Sequence, residues 1–224
     1  VDPVQLKYLQ AMGVSAWMLR QPNPDTGSVA SDEEEEALWR RLEEEIAGCT
    51  ACPLCRSRTH PVPGVGNRHA DWMLIGEAPG EQEDLKGEPF VGRAGQLLNE
   101  MLRALGLDRD QVFITNVLKC RPPGNRDPKP EEVAACEPFL IRQIALIQPK
   151  IIVAVGRIAA QNLLKTSAPL ARLRGKVHRY DDIPLVVIYH PAYLLRNPGA
   201  KRQAWEDLKL ARRVYSERQQ GNDG

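Results

Sequence analysis

Five cysteines, Cys49, Cys52, Cys55, Cys120 and Cys136, are the residues whose type and spacing speak first. Thiolates are ligands for zinc and for iron–sulfur clusters. In Cys49-Thr50-Ala51-Cys52 two thiols stand close enough to grip one metal centre, Cys120 closes a predicted strand, and Cys136 follows sixteen residues later inside a predicted helix. Two pairs drawn from distant segments can build a Cys₄ zinc site or an iron–sulfur cluster, and the ligand types suit both. The count is odd, and no charged segment followed by an apolar one opens the sequence. An intracellular thiol site is therefore expected ahead of a disulfide framework. Cys55 makes the set odd; it reads either as an inert buried thiol or as a substitute for Cys52.

The other chemically capable residues cluster where short apolar runs end. Trp72–Ile75 leads into Gly76-Glu77-Ala78-Pro79-Gly80 and then Glu81-Gln82-Glu83-Asp84. Glycines such as Gly76 and Gly80 let backbone approach a flat ligand closely, and the carboxylates beside them supply polar contacts. Phe90, within Gly87-Glu88-Pro89-Phe90-Val91-Gly92, offers a stacking face or a core contact. A second run ends in Thr115-Asn116, where a side-chain amide can read a base edge. A fourth run leads to His190-Pro191-Ala192-Tyr193-Leu194-Leu195-Arg196. A histidine at a strand end, followed by proline, reads as a positioned functional group.

Those groups need elements to hold them. The apolar runs Trp72–Ile75, Val112–Val117, Ile151–Val155 and Leu185–Tyr189 read as strands, and Gly95–Leu105, Pro130–Leu146 and Arg157–Leu164 carry helical spacing between them. Strand alternating with helix predicts an α/β fold: three αβα layers around a central four-stranded parallel sheet. Such sheets bind ligands beyond the carboxyl ends of their strands, where the motifs lie. Ahead of the domain (31–224) stands a tail and linker (1–30). Residues 4–19 have amphipathic spacing, Pro22–Ser28 break it, and a further helix is expected over Glu34–Ala47 with Leu38, Leu42 and Ile46 inward. The chain has 224 residues, 42% hydrophobic and 26% charged, which excludes a wholly disordered or fibrous protein. No run of about 18 apolar residues occurs, so no membrane span is expected.

Net charge is +1, but unevenly spread: residues 1–48 carry four basic and ten acidic groups, −6, which leaves +7 for residues 49–224. The second part is basic enough to approach phosphate. The acidic run Asp32–Glu36 reads as a solvated linker and helix start, or as a screen over the basic face when no nucleic acid is bound.

The loop 76–84, the stretch 87–92, Thr115-Asn116 leading to Lys119-Cys120-Arg121-Pro122-Pro123, and His190–Leu195 together resemble the family 4 uracil-DNA glycosylases, iron–sulfur members of their superfamily. The resemblance spans residues 45–215 in the right order. It implies a 4Fe–4S cluster on Cys49, Cys52, Cys120 and Cys136, with Cys55 the extra thiol. It implies hydrolysis of the N-glycosidic bond of a uracil flipped out of DNA, the first step of base excision repair. Phe90 would stack on the base, Asn116 would bind its Watson–Crick edge, and Glu83 would crowd C5, with Ala78 and Gly80 lining the pocket. His190 would donate to O2 as negative charge grows there. Better-known uracil glycosylases place an aspartate where this chain has Ala78, so Glu77 and Asn125 are expected to position water or stabilise the sugar cation. A cousin group bonds covalently through a histidine in the following loop; residues 121–130 contain none, so turnover is expected. Leu194 and Leu195 would wedge into the DNA, Arg196 would steady its backbone, and Arg93, Lys119, Arg121, Arg126, Arg172, Arg174 and Lys176 are candidates for phosphate contacts.

Residues 9–22 separately resemble the N-terminal peptide of the psi subunit of the bacterial clamp loader, chiefly at Leu9, Gly13, Trp17, Leu19, Arg20 and Pro22. That likeness implies docking of residues 4–22 on the chi subunit, and its alternative is a helix folded onto its own domain. The expected protein is a monomeric enzyme of the bacterial cytosol or nucleoid, in the cytoplasmic compartment, acting on single- or double-stranded uracil-containing DNA. Two other classes stay open: a catalytically weak glycosylase-like DNA-binding subunit of the clamp loader, and a zinc-containing nucleic-acid binder.

Overall fold

Uniformly apolar runs form the middle of a six-stranded mixed sheet whose strands are β1 (Val65–Gly66), β2 (Trp72–Gly76), β3 (Phe113–Asn116), β4 (Ile151–Val155), β5 (Val177–Tyr180) and β6 (Ile183–Ile188). The spatial order is β1-β3-β2-β4-β6-β5. The four inner strands are parallel, and β1 and β5 pair antiparallel at the two edges. The computed structural model describes residues 29–220, with side chains from residue 33. The expected helix over 4–19 and the peptide 4–22 lie outside the described residues. The chain divides into two units, Val1–Leu38 and Trp39–Gly224, and the sheet with all its loops belongs to the second.

The four-stranded parallel expectation is thus corrected to six mixed strands. The inner four coincide with the four apolar runs. The edges escaped because Val177-His178-Arg179-Tyr180 alternates exposed and half-buried positions, and β1 is two residues long. Edge strands face water on one side and need no continuous apolar run.

Alternation along each inner strand sends side chains to two cores. Met73, Ile75, Ile152, Ala154, Leu185 and Val187 face one, where Trp39, Leu42 and Ile46 of α1 (Val29–Ala47) and Leu140 and Ile144 pack. Leu74, Ile114, Val153, Val155, Val186 and Ile188 face the other, against Leu98, Leu102, Leu194 and Leu208. In chain order after α1, the helices are α2 (Glu81–Lys86), α3 (Arg93–Ala104), α4 (Pro130–Ile147), α5 (Arg157–Leu163), α6 (Leu170–Leu173), α7 (Pro191–Arg196) and α8 (Lys201–Gln220). α1 begins earlier than expected. Its buried row is Trp39, Leu42 and Ile46, spaced three and four apart, while Leu38 is 49% exposed. Among the described residues no helix is long and apolar enough to cross a membrane.

Candidate functional site

The inner strands all run the same way, so their carboxyl ends share one edge. β2 and β4 are neighbours from which the chain winds in opposite directions, the crevice where open α/β sheets bind ligands. A cavity of about 770 Å³ opens there. It is lined by Glu77, Ala78, Gly80, Glu83, Phe90, Asn116, Asn125, His190 and Arg196, scattered over 120 positions of sequence and brought together by the strand ends.

His190 is the N-cap of α7, and its Nδ1 accepts the Ala192 backbone N–H at 3.1 Å. An accepting Nδ1 carries no proton, so the neutral ring holds its proton on Nε2. Burial, reinforced by the Arg196 charge and opposed by Glu83, lowers its pKa to about 4. At neutral pH the imidazole is therefore an uncharged donor. Gly156, at φ +97° after β4, passes so close that a Cβ there would lie 3.0 Å from the His190 Cβ.

Phe90 faces His190 across the cavity wall, ring centroids 5.6 Å apart and planes at 29°. It holds a left-handed backbone, φ 53°, uncommon for a residue with a bulky side chain. Arg109 pins that turn by donating to the carbonyls of Pro89 (2.5 Å) and Phe90 (3.4 Å). Asn116 ends β3 beside Gly76, buried, with no hydrogen bond from its side chain to protein among the described residues. A Cβ on Gly76 would sit 2.3 Å from Asn116 Oδ1 and 2.7 Å from the Phe90 ring, so only glycine lets both side chains converge over the strand end.

Glu77 is partly buried close to Asp127 and Arg157. Burial first, then repulsion by Asp127, raises its pKa to about 7, with Arg157 opposing. Arg157 is itself bridged to Asp127 at 2.7 Å. Asn125, also left-handed at φ 54°, accepts from Arg121 Nε at 2.8 Å. Glu83 Oε1 accepts the backbone N–H groups of Val91 (2.9 Å) and Gly92 (3.0 Å), tying the Phe90 loop to α2 just ahead of α3.

Several expectations need correction. Leu194 is 1% exposed within the second core, so it is packing, not a free wedge; Leu195 is 37% exposed. Residues 191 and 194, three apart, form the inward side of α7 and leave Tyr193, Leu195 and Arg196 outside. Lys119 is no phosphate contact. It is buried, and its ammonium donates to Thr115 Oγ1 (2.7 Å), the Asn116 carbonyl (2.7 Å) and Gln143 Oε1 (2.6 Å). Burial lowers its pKa to about 7, with Cys136 opposing. Arg174 is committed to buried Asp207, and Arg126 to Glu132 through two bonds. Arg93, Arg172 and Lys176 are exposed. Sequence reasoning missed Arg109, for which no motif speaks, and Asp127 and Arg157, whose effect on Glu77 requires three separate loops.

All five cysteines line a second, narrow recess of about 10 Å³. Cys120 and Cys136 are buried, Arg58 donates to Cys120 Sγ at 3.1 Å, and the Lys119 backbone N–H donates to Cys136 Sγ at 3.2 Å. Burial pushes the Cys136 thiol up to about 11 and raises that of Cys120, with Lys119 and Arg58 respectively opposing. Among the described residues no three such ligands converge on a point that would hold a single metal ion.

A doubly wound sheet with this cavity at its switch point defines the class. The family model of the uracil DNA glycosylase superfamily matches residues 63–209, and the chain belongs to that superfamily. Within it, the chain is 49% identical to a type-4 uracil-DNA glycosylase of Archaeoglobus fulgidus over 173 residues, 74% of this chain and 87% of that protein. It is 44% identical to the type-4 enzyme of Thermotoga maritima, over 79% of this chain and 94% of that protein. A type-5 uracil-DNA glycosylase of Thermus thermophilus is 30% identical, over 70% and 76% respectively. The chain belongs to the type-4 uracil-DNA glycosylases.

Proposed function

We propose that this type-4 glycosylase takes a uracil extruded from DNA into the cavity at the strand ends and hydrolyses its glycosidic bond with the following division of labour. Extrusion costs a few kcal/mol of stacking and pairing, least in single strands. Phe90 stacks against the base. Asn116, whose amide has no competing protein partner, accepts from N3–H and donates to O4; cytosine reverses both and would leave buried groups unpaired. As the bond lengthens, negative charge collects on O2 and positive charge on the sugar. His190 donates Nε2–H to O2, and its neutrality suits the task, because no proton need be lost or gained as charge develops. Glu77, ionised, positions the attacking water and receives its proton, with Asn125 at the same rim. Glu83 holds the Phe90 loop in place and keeps C5 crowded against a methyl group.

The single observation that carries this reading is the backbone N–H on His190 Nδ1, which fixes the tautomer that can donate. Uracil release from an oligonucleotide tests it. His190→Ala should lose about 10²–10³ in kcat, the usual cost of removing one charge-stabilising donor. A loss below about threefold refutes the role.

The thiols and the family together support a 4Fe–4S cluster over zinc. Thiolates suit both zinc and iron–sulfur centres, and the resemblance to the iron–sulfur family 4 enzymes favours the cluster. Cys49, Cys52, Cys120 and Cys136, the four that match the family's cluster ligands, would hold it, with Cys55 the extra thiol lining the same recess. When bound, it would cross-link the 49–52 segment to the loop that begins beside Asn116. The psi-like sequence 9–22 supports a tether to the chi subunit, which would raise the local concentration of enzyme near newly made DNA.

A further inference from the structure

The reading above uses neither of two tyrosines beside His190. Tyr189 and Tyr193 both line the mouth of the same cavity. Their rings stack, centroids 4.9 Å apart and planes at 17°. The Arg174 guanidinium lies 3.9 Å from the Tyr189 centroid. Two groups that close have no room on one face, so Arg174 and Tyr193 cover opposite faces of Tyr189. The inner end of this three-tier stack is fixed. Arg174 Nε donates to Asp207 Oδ2 at 2.6 Å, its Nη2 donates to the Gln203 carbonyl at 2.8 Å, and Tyr189 donates its hydroxyl to Gln203 Oε1 at 3.0 Å. The outer end is open: Tyr193 is 39% exposed although one face is covered.

A rigid aromatic face presented to solvent at the rim of a nucleotide cavity is costly unless something stacks on it. Nucleobases do so with little regard to sequence, and such platforms are how proteins hold single strands. Leu194, at 1% exposure, is in the core, so α7 presents Tyr193, Leu195 and Arg196 to the DNA, and of these only Tyr193 offers a flat face braced from behind. We propose that Tyr193, braced by Tyr189 and Arg174, is the stacking platform for the base next to the uracil on the same strand. When uracil swings into the cavity its neighbour loses a stacking partner, and the exposed Tyr193 face replaces it. Tyr193 is then a positioning residue, acting on strand placement with no part in bond cleavage.

This rests on the cavity being the uracil site, and the test separates the two. Single-stranded oligonucleotides carry one uracil flanked either by ordinary bases or by abasic spacers. Wild-type kcat/KM should fall about 10-fold when the neighbouring base is removed, carried by KM more than by single-turnover kcat. Tyr193→Leu should lose about 10-fold on the ordinary strand and nothing on the spacer strand, and Tyr193→Phe should behave as wild type. Loss of the same size on both strands, or no loss on either, overturns the proposal. Dependence seen only in duplex assigns Tyr193 to the opposite strand and also overturns it. Wild type insensitive to the spacer overturns it even if Tyr193→Leu fails to fold. Uracil release from the spacer strand by wild type reports on the cavity reading alone, so its failure is distinguishable.

Discussion

The Glu77 carboxyl sets a pH dependence whose sign and position follow from its surroundings. Its pKa lies at about 7 because burial disfavours the charge and Asp127 repels it. If the ionised form positions and deprotonates water, single-turnover uracil release should rise with pH. About one tenth of Glu77 is ionised at pH 6 and about nine tenths at pH 8, close to a tenfold rise across that window. His190, at about 4, is neutral throughout and adds no second limb there. Asp127→Asn removes the repulsion and should move the midpoint below that of wild type. Arg157→Met should move it up, both by losing a cation and by releasing Asp127 from its ion pair. Glu77→Gln should be slow and flat. Folding stability should run the other way: a carboxyl whose folded pKa is raised favours the protonated native state, so its contribution is complete below about pH 4.5 and lost as pH rises through about 7. The assay is quenched-flow release from a uracil oligonucleotide between pH 5.5 and 9. A profile flat from 6 to 8, or an Asp127→Asn midpoint that does not move, refutes the assignment.

Three further outcomes are expected. Asn116→Asp should lower kcat/KM on uracil about 10²-fold, because a carboxylate cannot donate to O4; unchanged release removes Asn116 from the pocket. Purified protein should carry about four irons per chain, retained in Cys55→Ala and lost with thermal stability in Cys120→Ala, and a bleached Cys55→Ala would reverse the ligand assignment. The full chain should be retained on immobilised chi subunit and Trp17→Ala should not; equal retention of both removes the tether.

The inner sheet was legible because parallel strands covered on both faces must be apolar throughout, and Trp72–Ile75 and Ile151–Val155 announce themselves. The edges were not, since Val177–Tyr180 needs only half its positions covered. Strand-end motifs were legible for the same reason: in a parallel sheet, whatever follows each apolar run arrives at one edge, so Glu77, Asn116 and His190 converge without any contact being known. Lys119 was misread because lysines are almost never buried, and only three acceptors drawn from β3 and α4 make this one tolerable. Its place has a consequence for the thiols. The Lys119 backbone N–H donates to Cys136 Sγ while its ammonium donates to the Asn116 backbone carbonyl, so one residue ties the cysteine recess to the end of β3, where the residue proposed to bind the base sits.

The misplaced wedge has a different origin, and it bears on how far a motif can be carried. His190-Pro191-Ala192-Tyr193-Leu194-Leu195 fixes the order of residues but not the rotation of the helix they form. Pro191 at the first turn and His190 at the cap set that rotation. Once it is set, position 194 falls three residues from Pro191 on the buried side and packs with Leu98, Val186 and Ile188, whatever its counterpart does elsewhere. Spacing alone cannot choose between Leu194 and Leu195, three and four residues beyond Pro191, since both spacings share a helix face; the burial of Pro191 with Leu194 decides it. Nor does spacing supply the alternative. Tyr193 becomes a candidate only through Tyr189 behind it, and Tyr189 only through Arg174, fifteen positions upstream, whose type alone suggests a phosphate contact. A residue's role at this rim is decided by what braces it from behind.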